Sequence, residues 1–500
     1  MSKPTDSSLE KVRSELLGHC QKFLAERELR QIERAVDFAS QAHQGQKRLS
    51  GKPYIIHPLA VASRLSDLKL DAATIIAALL HDTLEDTDTS ERDIKRNFGG
   101  EVLSLVQSVT KLAHIRIKKG WFPFRKIQTR ELPGFELQIE TLRKMMIAMS
   151  ADIRVILIKL SDRLHNLETL QYLQADKRER IAQEALEIYA PITERLGMGK
   201  WRNIFEDLAF PYLLPEEFNE LTQLAIPQIK DREKYLKKVV PKVKKLLKKN
   251  RIEATINYRA KKWYSLYKKL KKYEGNLSRV YDLIAMRIIV NSIEDCYSVL
   301  GTIHSRWKPL PGRIKDYIAL PKPNGYQSIH TTVFCEGGQI VEFQIQTRKM
   351  NRQSEFGVAA HWIYAQKRNG RLPNKNELPW IKDFNRMQKD IGSSQELATS
   401  FRLDLFQDRI FVFTPTGDVK DLPAGSSPVD FAYSIHTDLG NHCGGAKVNG
   451  KITPLQTKLQ NGDIVEILKR KNAAAHTDWL EFVKTGLARN QIRRVAKRGP

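Results

Sequence analysis

Cysteine is scarce: the chain has Cys20, Cys296, Cys335 and Cys443 in 500 residues, with no CxxC pair and no metal-ligand spacing. That excludes a disulfide framework and a thiolate zinc site, and it points to a reducing compartment. Long apolar runs are missing too. The longest, Ala72 to Leu80, is too short to cross a bilayer, and the opening MSKPTDSSLEKVRSELL lacks the apolar centre of a signal peptide. The expectation is a soluble, cytoplasmic protein with no membrane contact. There is no internal repeat or low-complexity tract. Apolar residues at 41% and aromatics at 8% exclude wholesale disorder.

Acidic charge is also in deficit, 57 Asp and Glu against 83 Lys and Arg, for a net +26. The excess is concentrated: Lys230 to Tyr273 holds 18 basic and 3 acidic residues, and Lys469 to Pro500 holds 9 and 2. Such stretches attract phosphates. A plainer account exists for VVPKVKKLLKKN, where Val240, Val243, Leu246 and Leu247 share one helical side and the lysines solvate the other.

Five hundred residues are enough for about three or four domains. Residues 1–195 read as helical, with apolar residues three and four apart in LKLDAATIIAALLHD and DIRVILIKLSDRLHNL. A helical connector follows over 196–250. Residues 251–367 turn to β-branched runs, YDLIAMRIIV and QIVEFQIQT, among helical stretches, which predicts a mixed α/β domain. Residues 368–404 read as a polar tether. Residues 405–470 predict a small β module: a hairpin at Thr416-Gly417, a helix near SPVDFAYSIH, and two short strands from AKVNGKI and DIVEIL. From 471 to 500, DWLEFVKTGLARNQIRRVAKR reads as one helix cut short by the chain end.

Two regions carry chemistry. In HDTLED, a helix continuing through His81 would stack it over Glu85 and set Asp82 over Asp86. His57 lies in YIIHP, and Asp162 and Asn166 follow the apolar run VILIKL. Two His and two Asp form a mixed nitrogen and oxygen donor set that suits six-coordinate Mn²⁺; Fe²⁺, Mg²⁺ and Zn²⁺ remain open. A bound divalent ion acidifies water and Glu85 or Asp86 can relay the proton, so phosphoester hydrolysis is the expected reaction. A helix-capping or surface ion-pair network is the plain alternative. His43, His114 and His165 are read as structural.

The α/β domain has neither GxxxxGK nor GxGxxG, so side chains must hold phosphate there. Arg259, Lys261, Lys269, Arg313, Lys315 and Lys322 are available. Alternation in QIVEFQIQT puts Val341, Phe343 and Ile345 on one face and Glu342 with Gln344 on the other. Glu342 and Asp282 can hold Mg²⁺ or take a proton from an attacking hydroxyl, and Tyr326 can stack on a base. Packing is the alternative for Tyr326, and a buried ion pair for Arg287.

HDTLED with KLSDRLHN, GRIKDYIALPKPNGYQSIHTT, TPTGDV and SIHTDLGNHC, in this order over about residues 30 to 490, resemble the long RelA/SpoT homologue family. The resemblance implies an all-helical HD-type hydrolase domain, a nucleotidyltransferase-like mixed-sheet synthetase domain and a small β-grasp TGS domain. It assigns manganese to His57, His81, Asp82 and Asp162, water activation to Glu85 and Asp86, and guanosine nucleotide binding to Arg48, Asn166 and Thr169. The implied hydrolysis removes the 3′-pyrophosphate of guanosine tetra- or pentaphosphate. In the synthetase it makes Asp282 a Mg²⁺ ligand and Glu342 the base or a second metal-site carboxylate. Arg259, Lys261, Ser265 and Lys269 would face ATP, and Lys322, Asn324, Tyr326 and His330 would face GDP or GTP. The reaction it implies is pyrophosphoryl transfer from ATP to the 3′-hydroxyl.

The family likeness also sends the TGS segment, with His436, to tRNA on the ribosome, assisted by the basic C-terminal region. The basic GRIKDY string resembles bifunctional members. One departure is Tyr258-Arg259-Ala260-Lys261, where the family has Gly-Arg-Pro-Lys; it removes a rigidifying proline and opens the alternative of a hydrolase with a weakened synthetase. RIKKGWFPFRKIQTRELPGFELQIETLRKM differs from the usual acidic linker. Members of this type continue for a few hundred residues, whereas this chain stops at Pro500. A third reading is a ribosome- or tRNA-binding nucleotide sensor without catalysis. Opposed reactions need mutual suppression, which the expectation places in the connector.

Overall fold

The computed structural model describes residues 6–113, 145, 148, 151–322, 324–360, 409–470 and 474–498. The expected tether at 368–404, His114 and most of the unusual stretch around residues 115–145 lie outside them. The chain divides into two compact units, residues 1–113 with 153–373, and residues 114–152 with 374–500.

The first unit begins with helices packed around Ala72–Leu80, whose nine residues are all apolar or small and almost all buried. A helix apolar on every side belongs at the centre of a bundle. Asp71 caps it, accepting from the Thr74 amide at 2.8 Å. Helices Ile56–Asp67 and Ile153–Glu168 pack beside it and share its core. The expected continuation through HDTLED does not occur. The helix ends at Leu80, a turn takes His81 and Asp82, and a separate four-residue helix follows over Thr83–Asp86.

The connector is helical as expected, with Gly199–Leu213 and then 35 residues from Pro215 to Lys249. Leu236, Val239, Val243 and Leu247 repeat at helical spacing along that second helix and are buried in the core of the α/β part. At about 1.5–3 kcal/mol per buried aliphatic side chain, this row fastens the connector to the sheet.

The sheet has five strands in the order β1-β2-β5-β4-β3: Thr255–Ala260, Ile284–Val290, Ile340–Thr347, Ile329–Phe334 and Lys315–Asp316. Only β2 and β5 run parallel. One face, with Met286, Ile288, Phe343 and Ile345, packs on helix Ile293–Arg306 and the long connector helix. The other face carries the polar residues, as the alternation of QIVEFQIQT predicts.

The end of the helical domain meets the α/β part backbone to backbone. The Val358 amide donates to the Leu196 carbonyl at 2.9 Å, and Gly357 there has φ 53°. A Cβ on Gly357 would overlap Leu196, so only glycine permits the approach.

In the second unit β6 (Arg409–Phe413) and β7 (Val419–Pro423) form the expected hairpin, with Gly417 at φ 88°. AKVNGKI makes two strands instead of one. Asn449 and Gly450, both at positive φ, fold it into β8 (Cys443–Val448) and β9 (Lys451–Thr453), and β10 (Val465–Lys469) pairs with β8. Helix Pro428–Ile435 covers them, with Phe431 in the core.

The expected terminal helix is interrupted. A 3₁₀ turn at Thr477–Glu481 is followed by a break and then helix Gly486–Arg498. The fully buried Asp430 causes the break, accepting from the amides of Lys484 and Thr485 and from the Thr485 hydroxyl. Two further bonds come from Ser427, the cap of its own helix, so a buried carboxylate is satisfied at the expense of local helix at 484–485. His436 is exposed and caps the short helix Thr437–Asn441, accepting from the Asp438 amide.

Candidate active sites

The His81–Asp82 turn, which sequence periodicity missed, builds the first site. It lets two adjacent residues aim at one point: His81 Nε2 lies 3.1 Å from Asp82 Oδ1. His57, on the first turn of its helix, brings Nε2 within 3.5 Å of Asp82 and 3.4 Å of Asp162 Oδ1. Ligand atoms of His57, His81 and Asp82 all lie within 4.8 Å of one another. Asp162 borders that trio through His57.

Both histidines are buried, and their second nitrogens are occupied. His81 Nδ1 donates to the Ala78 carbonyl at 2.7 Å, which leaves the Nε2 lone pair pointing inward. That Nε2 has no hydrogen-bond partner. A buried lone pair facing a carboxylate oxygen is repulsive unless a cation lies between them, so the donor set fits a divalent metal.

The surrounding shell was only partly legible. His57 Nδ1 meets His165 Nδ1 at 2.7 Å, and Arg48 approaches the same His165 nitrogen at 3.0 Å. His165 therefore orients a candidate ligand and is more than structural. Burial, with the His57 ring and the Arg48 guanidinium close by, pushes its imidazole down to about 3. Lys159 is buried beside Asp162 at 2.8 Å. Burial alone would raise the Asp162 carboxyl, but Lys159 and His57 hold it well below the usual range. Burial likewise raises Asp82 and is outweighed by His81 and His57, leaving it low. Burial lowers His57. All these shifts favour neutral imidazoles and ionised carboxylates, the forms that bind metal.

Tyr54 is a further residue the sequence reading missed. Its hydroxyl reaches Asp82 at 2.8 Å and Asp86 at 3.0 Å, and its ring stacks on His43. Glu85 is half-buried on the same short helix and Asp86 is exposed. Arg48, Asn166 and Thr169 line an adjoining cavity of about 250 Å³, with Arg163 and Tyr172. Asn166 accepts from Arg48 and donates to Asp162, linking cavity to cluster. Lys159 lies three residues before Asp162 and His165 three after it on one helix, the spacing that could have drawn attention to them.

The second site lies on the polar face of the sheet. Pairing aligns Arg259, Ala285, Glu342 and Thr332 in one row, and Arg287, Gln344, His330 and Lys315 in the next. They line a cavity of about 450 Å³. The connector supplies another wall through Lys200, Arg202 and Asn203.

Glu342 takes His330 Nδ1 at 3.3 Å and Gln344 at 3.2 Å. Burial raises its carboxyl, but His330 more than compensates and leaves it low; the charge of Asp282 opposes this, as expected when two carboxylates face one space. Lys261 and Lys269 both pair with Asp282 and overcome burial to lower its carboxyl. Two carboxylates offering only oxygen suit Mg²⁺.

The remaining expected residues are all on this cavity's wall. Tyr326 donates to or accepts from His330 Nε2 at 2.8 Å, and Lys322 lies 5.3 Å from its ring centroid. Burial pushes the Lys322 ammonium down. Arg313 sits over Tyr281. Asn324 caps the Tyr326 amide in a turn with Gly325 at φ 76°. Ser265 points its hydroxyl at Glu206, which is buried and also holds Lys268. Arg287 has a structural role as well, bonding Asn351 and Glu355.

Comparison with known proteins gives three matches along the chain: the HD domain over residues 35–199, the region found in RelA / SpoT proteins over 258–369, and the TGS domain over 410–469. The chain is 46% identical over its full length to a guanosine-3′,5′-bis(diphosphate) 3′-pyrophosphohydrolase of Aquifex aeolicus, covering 68% of that protein. It is 45% identical over 93% of its length to a GTP pyrophosphokinase of Streptomyces coelicolor, covering 55% of it. A GTP pyrophosphokinase of Myxococcus xanthus is 44% identical over 93% of this chain and 60% of its own length. The chain thus spans between about half and two thirds of these relatives.

Proposed function

The chain belongs to the RelA/SpoT family, and from that premise we propose that it is a bifunctional enzyme that hydrolyses and synthesises guanosine tetra- and pentaphosphate. The observation carrying this reading is the presence of two chemically distinct pockets, one with histidines and carboxylates and one with paired carboxylates among cations. Relatives similar over nearly the whole chain are named for each of the two opposite reactions.

In the hydrolase, His57, His81, Asp82 and Asp162 would hold Mn²⁺. When bound, such an ion lowers the pKa of water from 15.7 toward about 7 and so supplies a nucleophile near neutral pH. Lys159 fixes one oxygen of Asp162, leaving Oδ1 toward His57. Glu85 and Asp86 accept the proton, with Tyr54 orienting Asp86. Arg48, Asn166 and Thr169 seat the guanosine nucleotide in the adjoining cavity. Water attacks the phosphorus bonded to the 3′-oxygen, that phosphorus–oxygen bond breaks, and GDP or GTP with its 3′-hydroxyl restored leaves with pyrophosphate as the other product.

In the synthetase, Asp282 would hold Mg²⁺, which when bound would neutralise phosphate charge. Glu342 takes the proton of the guanosine 3′-hydroxyl, whose oxygen attacks the β-phosphorus of ATP as the bond to the α-phosphate oxygen breaks and AMP leaves. Arg259, Lys261 and Lys269 stabilise charge on the ATP side, with Ser265 beside them. Lys315, Lys322, Asn324, Tyr326 and His330 position the acceptor, and Arg313 adds positive charge. The free thiols, all buried, agree with a cytoplasmic setting. Among the described residues no helix is long and apolar enough to cross a membrane. The TGS segment and the basic C-terminal region, with His436 exposed, engage tRNA on the ribosome.

The test is to incubate the purified chain with ATP, GDP or GTP and Mg²⁺, and separately with guanosine tetraphosphate and Mn²⁺. Release of AMP in the first and of pyrophosphate in the second is expected. Turnover in neither, with nucleotide bound, would make the chain a sensor.

A further inference from the structure

The connector's long helix carries a surface that neither reaction uses. From Lys234 to Ile252 the sequence contains no acidic residue. Lys237, Lys238, Lys244, Lys245, Lys248 and Lys249 are all exposed, as is Arg251 just beyond the helix. At 100° per residue these lysines occupy an arc of roughly 140°, opposite the buried row of Leu236, Val239, Val243 and Leu247. None of these seven cations forms an ion pair with a described residue. Their neighbours differ in this: Lys234 pairs with Asp231, and Lys242 with Glu336. None of the six lysines lines the synthetase cavity or the hydrolase cavity.

Stability does not account for the arc. Lys244 with Lys248 and Lys245 with Lys249 are like charges four apart, and each such pair costs a helix about 0.2–0.5 kcal/mol. The helix dipole favours cations only in the last turn, which covers Lys248 and Lys249 but not Lys237, Lys238, Lys244 or Lys245.

We propose that this lysine arc binds the phosphate backbone of a nucleic acid, without reading its sequence. The composition of the face separates this from other polyanionic partners. Lysine is depleted in protein–protein interfaces, where aromatic residues and arginine supply the anchors, and the arc has no aromatic. A membrane-surface helix needs an apolar face free to enter lipid, whereas this helix buries its own in the sheet core. Past Ile226, no large apolar side chain of the helix is exposed. From Lys237 to Lys249 the arc runs for about 18 Å, matching about five phosphates of one strand at 3.4 Å each.

The experiment measures binding of the full chain to a labelled 20-base-pair RNA duplex, the same DNA duplex and a single strand, between 0.05 and 0.2 M salt. A variant with Lys237→Gln, Lys238→Gln, Lys245→Gln and Lys248→Gln is compared with a charge-matched control, Lys11→Gln, Lys22→Gln, Lys95→Gln and Lys111→Gln. The arc variant should lower the slope of log affinity against log salt by about three to four and weaken binding roughly a hundredfold at 0.1 M, with the control unchanged. The three nucleic acids distinguish the source of the backbone. The melting temperature of the arc variant should hold or rise, since like-charge repulsion is removed.

Equal losses in arc and control variants would overturn the proposal. So would an arc variant that loses binding to phosphatidylserine vesicles or polyglutamate while holding nucleic acid unchanged. Both pyrophosphate reactions serve as folding controls and should stay intact, so this result is separable from failure of the bifunctional reading.

Discussion

In the helical site His57, His81 and Asp162 are nearly without solvent exposure, whereas on the sheet the carboxylate of Asp282 is met by lysines that are themselves part-exposed. In the first, each proposed ligand is held by a second residue: Ala78 for His81, His165 for His57, Lys159 for Asp162. In the second, the carboxylates are neutralised by Lys261, Lys269 and His330, which can exchange those partners for phosphate. A metal site needs fixed donors at short range, while a site for several phosphates needs many adjustable charges. The contrast follows from the scaffolds. Helix ends packed in a core immobilise side chains, and one sheet face displays a broad row of them.

The largest effect should come from removing one carboxylate from each pocket. Asp82→Ala should reduce hydrolysis by about a thousandfold or more and leave synthesis near its original rate, and Glu342→Ala should do the reverse. Separate assays of pyrophosphate release and AMP release check this. Loss of both activities in either variant would break the comparison.

Next is the difference between the lysines. Lys159→Met leaves the buried Asp162 without its cation and should cost about 3–5 kcal/mol in denaturant unfolding. Lys261→Met should cost less, because Lys269 remains paired with Asp282. His165→Ala should weaken Mn²⁺ binding by about 10–100-fold, read by titration calorimetry, with little change in nucleotide binding at the synthetase.

The response to acid should also split. In the unfolded chain His165 takes up a proton below about pH 6.5, but in the fold it does so only near about 3. The unfolded state therefore binds more protons across that window, and the helical domain should lose stability as pH falls from 6.5. His57, also lowered, acts in the same sense. Asp282 and Glu342 are lowered carboxyls, so what they contribute to the α/β part is fully present above their unfolded values near 4 and is lost only below them. Domain-resolved hydrogen exchange at pH 7 and pH 5 should show the helical domain loosening first. The smallest change is expected for Tyr54→Phe, a severalfold fall in hydrolysis with an altered pH profile, since Asp86 stays but loses its hydrogen bond.

Much of the architecture was legible because it rests on local periodicity. The run Ala72–Leu80, apolar on every side, announced a central helix, and QIVEFQIQT announced which face Glu342 would take. Failures occurred where a distant group overrode local preference. Asp430 takes the amides of Lys484 and Thr485 and so splits the last helix. The His81–Asp82 turn ends a helix that periodicity would have continued. Lys159 was visible three residues before Asp162, but three-residue spacing alone does not say that a lysine is buried.

The sequence by itself determined the helical and strand segments, the placing of charge along the chain and the residue types available at each site, because these depend on neighbours within a few positions. Only the tertiary structure decided that His57 would meet His165 across 108 positions, that β2 and β5 would pair in parallel so that Arg259 and Glu342 share a row, and that the long helix would bury one side and leave its lysines bare. Those outcomes depend on which surfaces exclude water together, and that is a property of the whole packed chain.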